Sequence, residues 1–230
     1  MKRYLITGAS RGIGRAIAEK LAAPGHALLL HGRDHDALAE TCRRVEIKSS
    51  QAIPLCYDLR NPASIQKMVD EIGPDPLEAL INNAGIASVK PLREITLDEW
   101  QATFAVNVTA PFLLTQKLLP LMSAGSTVVN ILSIAAKTGF PNWGTYCMSK
   151  FALEGFSQAV REEVRPRGIR VLNVYPAATN TEIWSGVEGD WPREKMLVPE
   201  EIAHAVAYAL SRPADVGVEN IMVQNVSGAL

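Results

Sequence analysis

Short, mostly apolar runs alternate with longer stretches of helical periodicity along the whole chain of 230 residues. The short runs are rich in Val, Ile and Leu, as in buried strands, whereas apolar residues recur every three or four positions in the long stretches. Strands are predicted at 4–7, 27–31, 52–57, 79–82, 127–132, 170–174 and 221–224, and helices at 13–23, 36–46, 62–72, 97–122, 146–165 and 199–211. Because successive parallel strands need a crossover connection, this order predicts a doubly wound α/β fold with one parallel sheet of about seven strands and helices on both faces.

Composition and charge narrow the functional classes. No linker-like or low-complexity tract interrupts the pattern, so we expect residues 1–230 to form a single domain. The net charge of −1 and the scattered basic residues argue against binding to nucleic acid or an anionic membrane. The apolar start is too short for a signal peptide or a membrane span, and the three cysteines lack metal-site spacing. We therefore expect a cytoplasmic protein that acts on a small molecule without a metal ion.

A glycine-rich turn follows the first predicted strand. It reads TGASRGIG, from Thr7 to Gly14, and leads directly into the first predicted helix. Glycines allow a tight turn and let a phosphate group approach the N-terminus of the helix. Ligands of open parallel sheets bind beyond the carboxyl ends of the strands, where this turn lies. The context favours a pyrophosphate site over an ordinary turn.

Tyr146 and Lys150 lie one helical turn apart in GTYCMSKFALEGF. Residues at i and i+4 share a helix face, and a nearby ammonium favours the phenolate form of a tyrosine whose ordinary pKa is about 10. A packed tyrosine beside a solvated lysine would produce the same spacing. The interval alone leaves packing and proton transfer equally open.

Seven motifs together resemble those of the short-chain dehydrogenase/reductase family, and the likeness covers nearly the whole chain. Most of them stand at the end of a predicted strand or the start of a predicted helix. The first has the spacing G-x-x-x-G-x-G, which differs from the common dinucleotide fingerprint. The motifs are TGASRGIG at 7–14, DL at 58–59, NNAG at 82–85, FAVNV at 104–108, ILS at 131–133, YCMSK at 146–150 and YPAATNT at 175–181.

This resemblance implies a Rossmann-type catalytic domain that moves a hydride between a nicotinamide and a carbonyl or alcohol. Tyr146 would be the general acid or base, and Ser133 would hold the substrate oxygen. Lys150 would hold the nicotinamide ribose and, together with the positive charge of the bound nicotinamide ring, lower the pKa of Tyr146. Asn107 would anchor a water molecule in a proton relay. These four are the expected catalytic residues.

The resemblance also implies which residues bind the nicotinamide cofactor. Asp58 and Leu59 would meet the adenine, and Thr181 would reach the carboxamide. The complete predicted set is Gly8, Ser10, Arg11, Gly12, Ile13, Gly14, Arg33, Asp58, Leu59, Asn82, Ala84, Gly85, Tyr146, Lys150, Pro176, Thr179 and Thr181.

Charge after the second strand predicts which cofactor is preferred. NAD-dependent relatives carry an acid where this chain has Gly32, so no carboxylate there would repel a 2′-phosphate. Arg33, and Arg11 in the glycine turn, supply guanidinium donors that suit a phosphate. We therefore expect NADP(H). Asp34 complicates this expectation unless it caps the next helix, which is the simpler interpretation.

Substrate and assembly are less constrained. The segment after Thr181 forms a lid in the family, and here it contains Trp184 and Trp191. With Phe140 and Trp143 these rings indicate an apolar or aromatic pocket, although they could equally just pack the loop against the body. Ala177 and Ala178 follow Pro176, where the family usually has a glycine, and would narrow the pocket.

The family assembles through helices equivalent to 97–122 and 146–165, so the resemblance implies a homodimer or homotetramer. Two other functions remain open at this stage. One is a catalytically silent dinucleotide-binding sensor, against which the intact Ser, Tyr and Lys argue. The other is a sugar-nucleotide epimerase, against which the chain length and the glycine spacing argue.

Overall fold

Over the residues that the structure describes, the sheet contains seven strands, all parallel, in the order β3-β2-β1-β4-β5-β6-β7. The computed structural model describes residues 1–48, 51–187, 189–226 and 228. The strands are β1 Lys2–Ile6, β2 His26–Gly32, β3 Gln51–Cys56, β4 Ala79–Asn82, β5 Thr127–Ile131, β6 Arg170–Pro176 and β7 Asn220–Val223. The strand order reverses between β1 and β4, which is where a ligand crevice is expected. The predicted doubly wound α/β fold is confirmed.

Helices cover both faces of this sheet. They are α1 Gly12–Leu21, α2 His35–Glu46, α3 Pro62–Ile72, α4 Leu97–Phe104, α5 Ala110–Leu118, α6 Gly144–Val164 and α7 Pro199–Leu210. Successive strand residues point to opposite faces, so Ile6 joins the core under α1, α2 and α7, and Leu5 joins the core under α3, α5 and α6. Each face therefore has its own apolar core, and the carboxyl ends of the strands are left for function.

Local sequence signals define several helix starts. The Asn61 side chain accepts a hydrogen bond from the Ala63 N–H at the start of α3, and Pro62 follows it in the first turn. Thr96 and Glu99 form a reciprocal capping box at the start of α4. No helix among the described residues is long and apolar enough to cross a membrane.

The stretch 97–122 is not the single helix predicted from its periodicity. A π-helical turn, Ala105–Thr109, separates α4 from α5, and a 3₁₀ turn, Leu119–Leu121, ends the segment. Pro111 explains the break, because it has no N–H to donate to the carbonyl of Asn107. The Ala110 N–H instead bonds the Ala105 carbonyl across five residues. Turns of this kind are frequent at functional sites, and Asn107 lies within this one.

Candidate active site

A cleft of about 640 Å³ runs along the carboxyl ends of the strands. It extends from the residues that follow β2 and β3, past the glycine turn, to the segment that follows β6. Of the predicted catalytic residues, Ser133, Tyr146 and Lys150 line it. Of the predicted cofactor residues, Gly8, Ser10, Arg11, Gly12, Ile13, Arg33, Asp58, Leu59, Ala84, Gly85, Pro176, Thr179 and Thr181 line it as well.

The glycine turn is pressed against the end of β4. Gly8 has a φ of +66°, and a Cβ there would lie 2.9 Å from the Cα of Ala84. The Asn83 side chain donates to the Thr7 carbonyl at 2.8 Å, and the Thr7 hydroxyl accepts from the Asn83 N–H at 2.9 Å. Because residue 8 has no side chain, the backbone N–H groups at the start of α1 are open to the cleft and could bind an anion.

Three predicted residues do not line the cleft. Gly14 packs against the turn, since a Cβ there would lie 2.2 Å from the Gly8 carbonyl oxygen. Asn82 is 3% exposed, and its amide donates to Asn130 Oδ1 at 2.9 Å within the sheet. Asn83 and Ala84 of the same motif line the cleft instead, so any support that Asn82 gives to a cofactor would be indirect. Asn107, the third, lies behind the cleft wall.

Asn107 joins three segments. Its side-chain N–H₂ group donates to the Ile86 carbonyl at 2.9 Å and to Ser149 Oγ at 3.0 Å. Its Oδ1 accepts from the Ile86 N–H at 2.9 Å. The side chain therefore ties the π-helical turn to the chain after β4 and to the helix that carries Tyr146 and Lys150.

His31 is a cleft residue that the sequence reasoning overlooked. The Gly8 N–H donates to its Nδ1 at 3.3 Å, so its Nε2 carries the proton and donates to the Tyr57 carbonyl at 3.0 Å. Burial lowers the pKa of His31 to about 4, which leaves the ring neutral. It holds together the chain ends after β1, β2 and β3. A polar residue ending an otherwise apolar run was the available signal.

Two arginines face the cleft beyond β2. Arg11 and Arg33 are exposed, and neither guanidinium has a hydrogen-bond or ion-pair partner in the part of the chain that the structure describes. Asp34 does not line the cleft, and its carboxylate accepts from the Ala37 N–H at 3.0 Å and caps α2. Beside them, hydrogen bonds from Arg60 lower the pKa of Asp58 to about 2. The end of the cleft beyond β2 therefore carries two guanidinium groups that are available to bind an anion.

Ser133, Tyr146 and Lys150 meet near the middle of the cleft. Lys150 is 4% exposed, and its Nζ lies 5.6 Å from the centroid of the Tyr146 ring. Burial raises the pKa of Tyr146 to about 12, while a hydrogen bond with Ser133 acts in the opposite direction. Burial also lowers the pKa of Lys150 to about 8. Desolvation is the largest influence on the Tyr146 pKa in this structure, and the lowering expected from Lys150 together with a bound nicotinamide stays a prediction.

Aromatic rings form the far wall of the cleft, which we call the tryptophan wall: Trp143, Trp184 and Trp191. The Trp143 ring centroid lies 5.5 Å from those of Tyr146 and Trp184, and Trp184 lies 4.9 Å from Trp191. The indole N–H of Trp184 donates to the Thr179 carbonyl at 2.9 Å. The rings pack on one another and also line the cleft, so packing of the loop and lining of an apolar pocket do not exclude each other.

Comparisons with known proteins agree with this geometry. Residues 2–190 match the family model described as short chain dehydrogenase. The chain is 32% identical to an L-2,3-butanediol dehydrogenase of Corynebacterium glutamicum, over 93% of this chain and 86% of that protein. Two crystal structures are similar. One is an alcohol dehydrogenase of Thermococcus sibiricus complexed with 5-hydroxy-NADP, with a TM-score of 0.88, 28% identity and coverage of 100% and 99% of the two chains. The other is an angucycline C-6 ketoreductase with bound NADP, with a TM-score of 0.86, 29% identity and coverage of 96% and 93%.

Proposed function

The chain belongs to the short-chain dehydrogenases, and on that premise we propose that it transfers a hydride between NADP(H) and a carbonyl or alcohol substrate. The observation that carries this proposal is the meeting of Ser133, Tyr146 and Lys150 in the cleft that begins at the glycine turn. Packing alone would not require a serine hydroxyl, a phenol and a buried ammonium at the same opening. The proposed chemistry uses no metal ion.

The cleft suits NADP(H) along its length. A Cβ at Gly8 would meet backbone atoms, so only glycine leaves room for a pyrophosphate at the N-terminus of α1. Arg11 and Arg33 offer unpaired donors for a 2′-phosphate, and the Asp34 carboxylate is engaged as the cap of α2. The similar alcohol dehydrogenase and ketoreductase were crystallised with NADP or a derivative of it. When bound, NADPH supplies the hydride.

Tyr146 handles the proton in this mechanism. With its pKa near 12, the phenol is protonated at neutral pH and can donate to the oxygen of a carbonyl that Ser133 holds by hydrogen bonding. In the alcohol-oxidising direction the same oxygen must first lose its proton. Lys150 would bind the nicotinamide ribose hydroxyls, and Thr181 would bind the carboxamide. Asn107, which contacts the helix that carries Lys150, would hold the relay water.

The substrate we propose is a small apolar or aromatic carbonyl compound. The tryptophan wall presents indole rings on the side of Tyr146 away from the arginines, and apolar contact with them would exclude water from the reacting oxygen. Phe140 and Ile134 continue this apolar lining. Anionic substrates find few partners here, since the cationic side chains of the cleft lie at Lys150 and at the opposite end.

We further propose that the chain acts as one catalytic domain in the cytoplasm and assembles as a homodimer or homotetramer. Phe112 on α5 and Phe151 on α6 are 42% and 48% exposed. These helices correspond to the interface helices that the family resemblance implies, so burial against a second copy would remove this apolar surface from water. Its proposed partners are therefore a small molecule and copies of itself, and they include no nucleic acid or membrane.

The deciding experiment measures NADPH and NADH oxidation by the purified protein with aldehydes, ketones, β-ketoesters and quinones. We expect turnover with NADPH, faster than with NADH, and the best rates with aromatic or apolar ketones. Faster turnover with NADH would contradict the arginine argument. Tight NADPH binding with no turnover across the panel would replace the enzyme with a dinucleotide-binding regulator.

A further inference from the structure

Residues 181–187 and 189–193, which we call the lid, carry Trp184 and Trp191 and lie between two segments of the chain that pair with each other. The chain before it pairs with the chain after it through a parallel bridge between Thr179 and Leu197. The Asn180 N–H donates to the Leu197 carbonyl at 2.8 Å, and the Leu197 N–H donates to the Ala178 carbonyl at 3.0 Å. The lid is therefore a loop whose two ends meet beside the cleft.

Arg193 spans this junction. Its Nε donates to Asn180 Oδ1 at 2.8 Å, and its terminal nitrogen donates to the Thr181 carbonyl at 2.8 Å. The planar guanidinium suits two acceptors in a fixed relative position, which a lysine ammonium cannot reproduce. Both acceptors are uncharged, so the contact is a directional clamp and not an ion pair.

Thr181, which Arg193 holds, also contacts the glycine turn. Its Cγ2 would lie 3.1 Å from a Cβ built on Gly12, so the threonine packs directly on the bare backbone there. Thr181 also begins the 3₁₀ turn Glu182–Gly186, which places Trp184 in the cleft wall. The carbonyl that Arg193 holds thus sets the position of a cleft hydroxyl and of one indole together.

We propose that Arg193 is a positioning residue that orients Thr181 toward the nicotinamide end of the cofactor and holds the lid over the substrate. This inference rests on the proposed NADP(H) function for its catalytic consequence, although the clamp itself does not. Arg193 does not line the cleft, and its effect passes through Asn180 and Thr181. It should therefore govern binding of cofactor and substrate more than the proton and hydride transfers.

The test compares Arg193→Met and Arg193→Lys with Arg167→Met. Arg167 is a matched control, because it also donates to two uncharged oxygens, the backbone carbonyls of Leu119 and Met122, away from the cleft. Three quantities are measured: amide hydrogen exchange at Asn180 and Leu197, the Kd for NADPH by tryptophan fluorescence, and steady-state KM and kcat. Thermal unfolding is recorded for each variant, so that a general loss of stability is recognised.

For Arg193→Met we expect faster exchange at both amides and a rise of about tenfold or more in the NADPH Kd, as for the loss of two hydrogen bonds to a charged donor. The substrate KM rises with it, kcat changes less, Arg193→Lys recovers part of the affinity, and Arg167→Met behaves as wild type. Unchanged exchange in Arg193→Met overturns the clamp even if the wild type proves inactive. Faster exchange with an unchanged NADPH Kd overturns the positioning role.

Discussion

The Nζ of Lys150 donates a hydrogen bond of 2.8 Å to the backbone carbonyl of Ile131, the last residue of β5. Ser133 follows two residues later, so this bond connects the helix that bears Tyr146 to the strand end that bears Ser133. Lys150 is buried, and its hydrogen bond to Ile131 fixes the position of its ammonium group independently of any contact with a ribose. The lysine therefore has a structural task in addition to its proposed chemical one.

Replacing Tyr146 with Phe should abolish carbonyl reduction and leave NADPH binding nearly intact. The substitution removes the only proposed proton donor, and general acid catalysis contributes roughly a hundredfold to ten-thousandfold in rate. The ring remains to pack against Trp143. Turnover and the NADPH Kd are measured on the same preparation. Retained reduction in this variant would refute the assignment of Tyr146.

The pH dependence should differ between the two reaction directions. Because desolvation raises the pKa of Tyr146 to about 12, the phenol stays protonated from pH 6 to 9, and carbonyl reduction should not fall in this range through loss of its proton. Alcohol oxidation needs the deprotonated oxygen and should accelerate as pH rises. The measurement is kcat/KM in each direction across this range. An oxidation rate independent of pH would contradict the assignment of Tyr146 as the base.

Replacing Arg33 with Ala should weaken NADPH use without harming NADH use. A charge-assisted hydrogen bond to phosphate contributes about 1.5–3 kcal/mol, so kcat/KM for NADPH should drop about tenfold to a hundredfold. NADH lacks the 2′-phosphate and serves as the internal control. Arg11→Ala should act in the same direction. An equal loss with both cofactors would show that Arg33 supports the cleft in another way.

His31 should make the folded protein less stable in mild acid. Burial depresses its folded-state pKa to about 4, below an unfolded value near 6.5, so the unfolded chain binds more protons between these pH values. The free energy of unfolding should therefore decrease as pH falls from 6.5 to 4, by about 3 kcal/mol from this group. His31→Gln keeps a donor and an acceptor without titrating. Urea unfolding measures the free energy of unfolding of both proteins as a function of pH, and the difference between them should be constant above pH 7. A constant difference at all pH values would show that His31 does not cause the loss of stability in acid.

Two glycines should respond to alanine in opposite directions. At Gly14 the new Cβ would lie 2.2 Å from the Gly8 carbonyl oxygen, so the glycine turn must move, and both stability and NADPH binding should fall. At Gly155, an exposed position of helix α6, no atom outside the helix's own backbone lies within 4 Å of the new Cβ. There alanine should stabilise by up to about 1 kcal/mol through helix propensity. Thermal unfolding and NADPH titration of both variants provide the comparison.

Periodicity predicted the elements that positioned the cleft. Every predicted strand exists within a residue or two of its observed bounds, because buried parallel strands are apolar runs that local sequence reveals. The prediction of one helix over 97–122 was wrong in its interior, because the spacing of apolar residues does not reveal the hydrogen bond that Pro111 cannot donate. The motif residues were also identifiable one by one, and most of them line the cleft.

The amino-acid sequence by itself determined the individual strands, the glycine turn and the spacing of Tyr146 and Lys150, because these depend on residues close together in the chain. Only the tertiary structure decided that Asn82 turns into the sheet, that His31 accepts a hydrogen bond from Gly8, and that burial raises the Tyr146 pKa. It also decided that Arg193 reaches Thr181. These outcomes depend on desolvation and on contacts between segments distant in sequence, which no local pattern encodes.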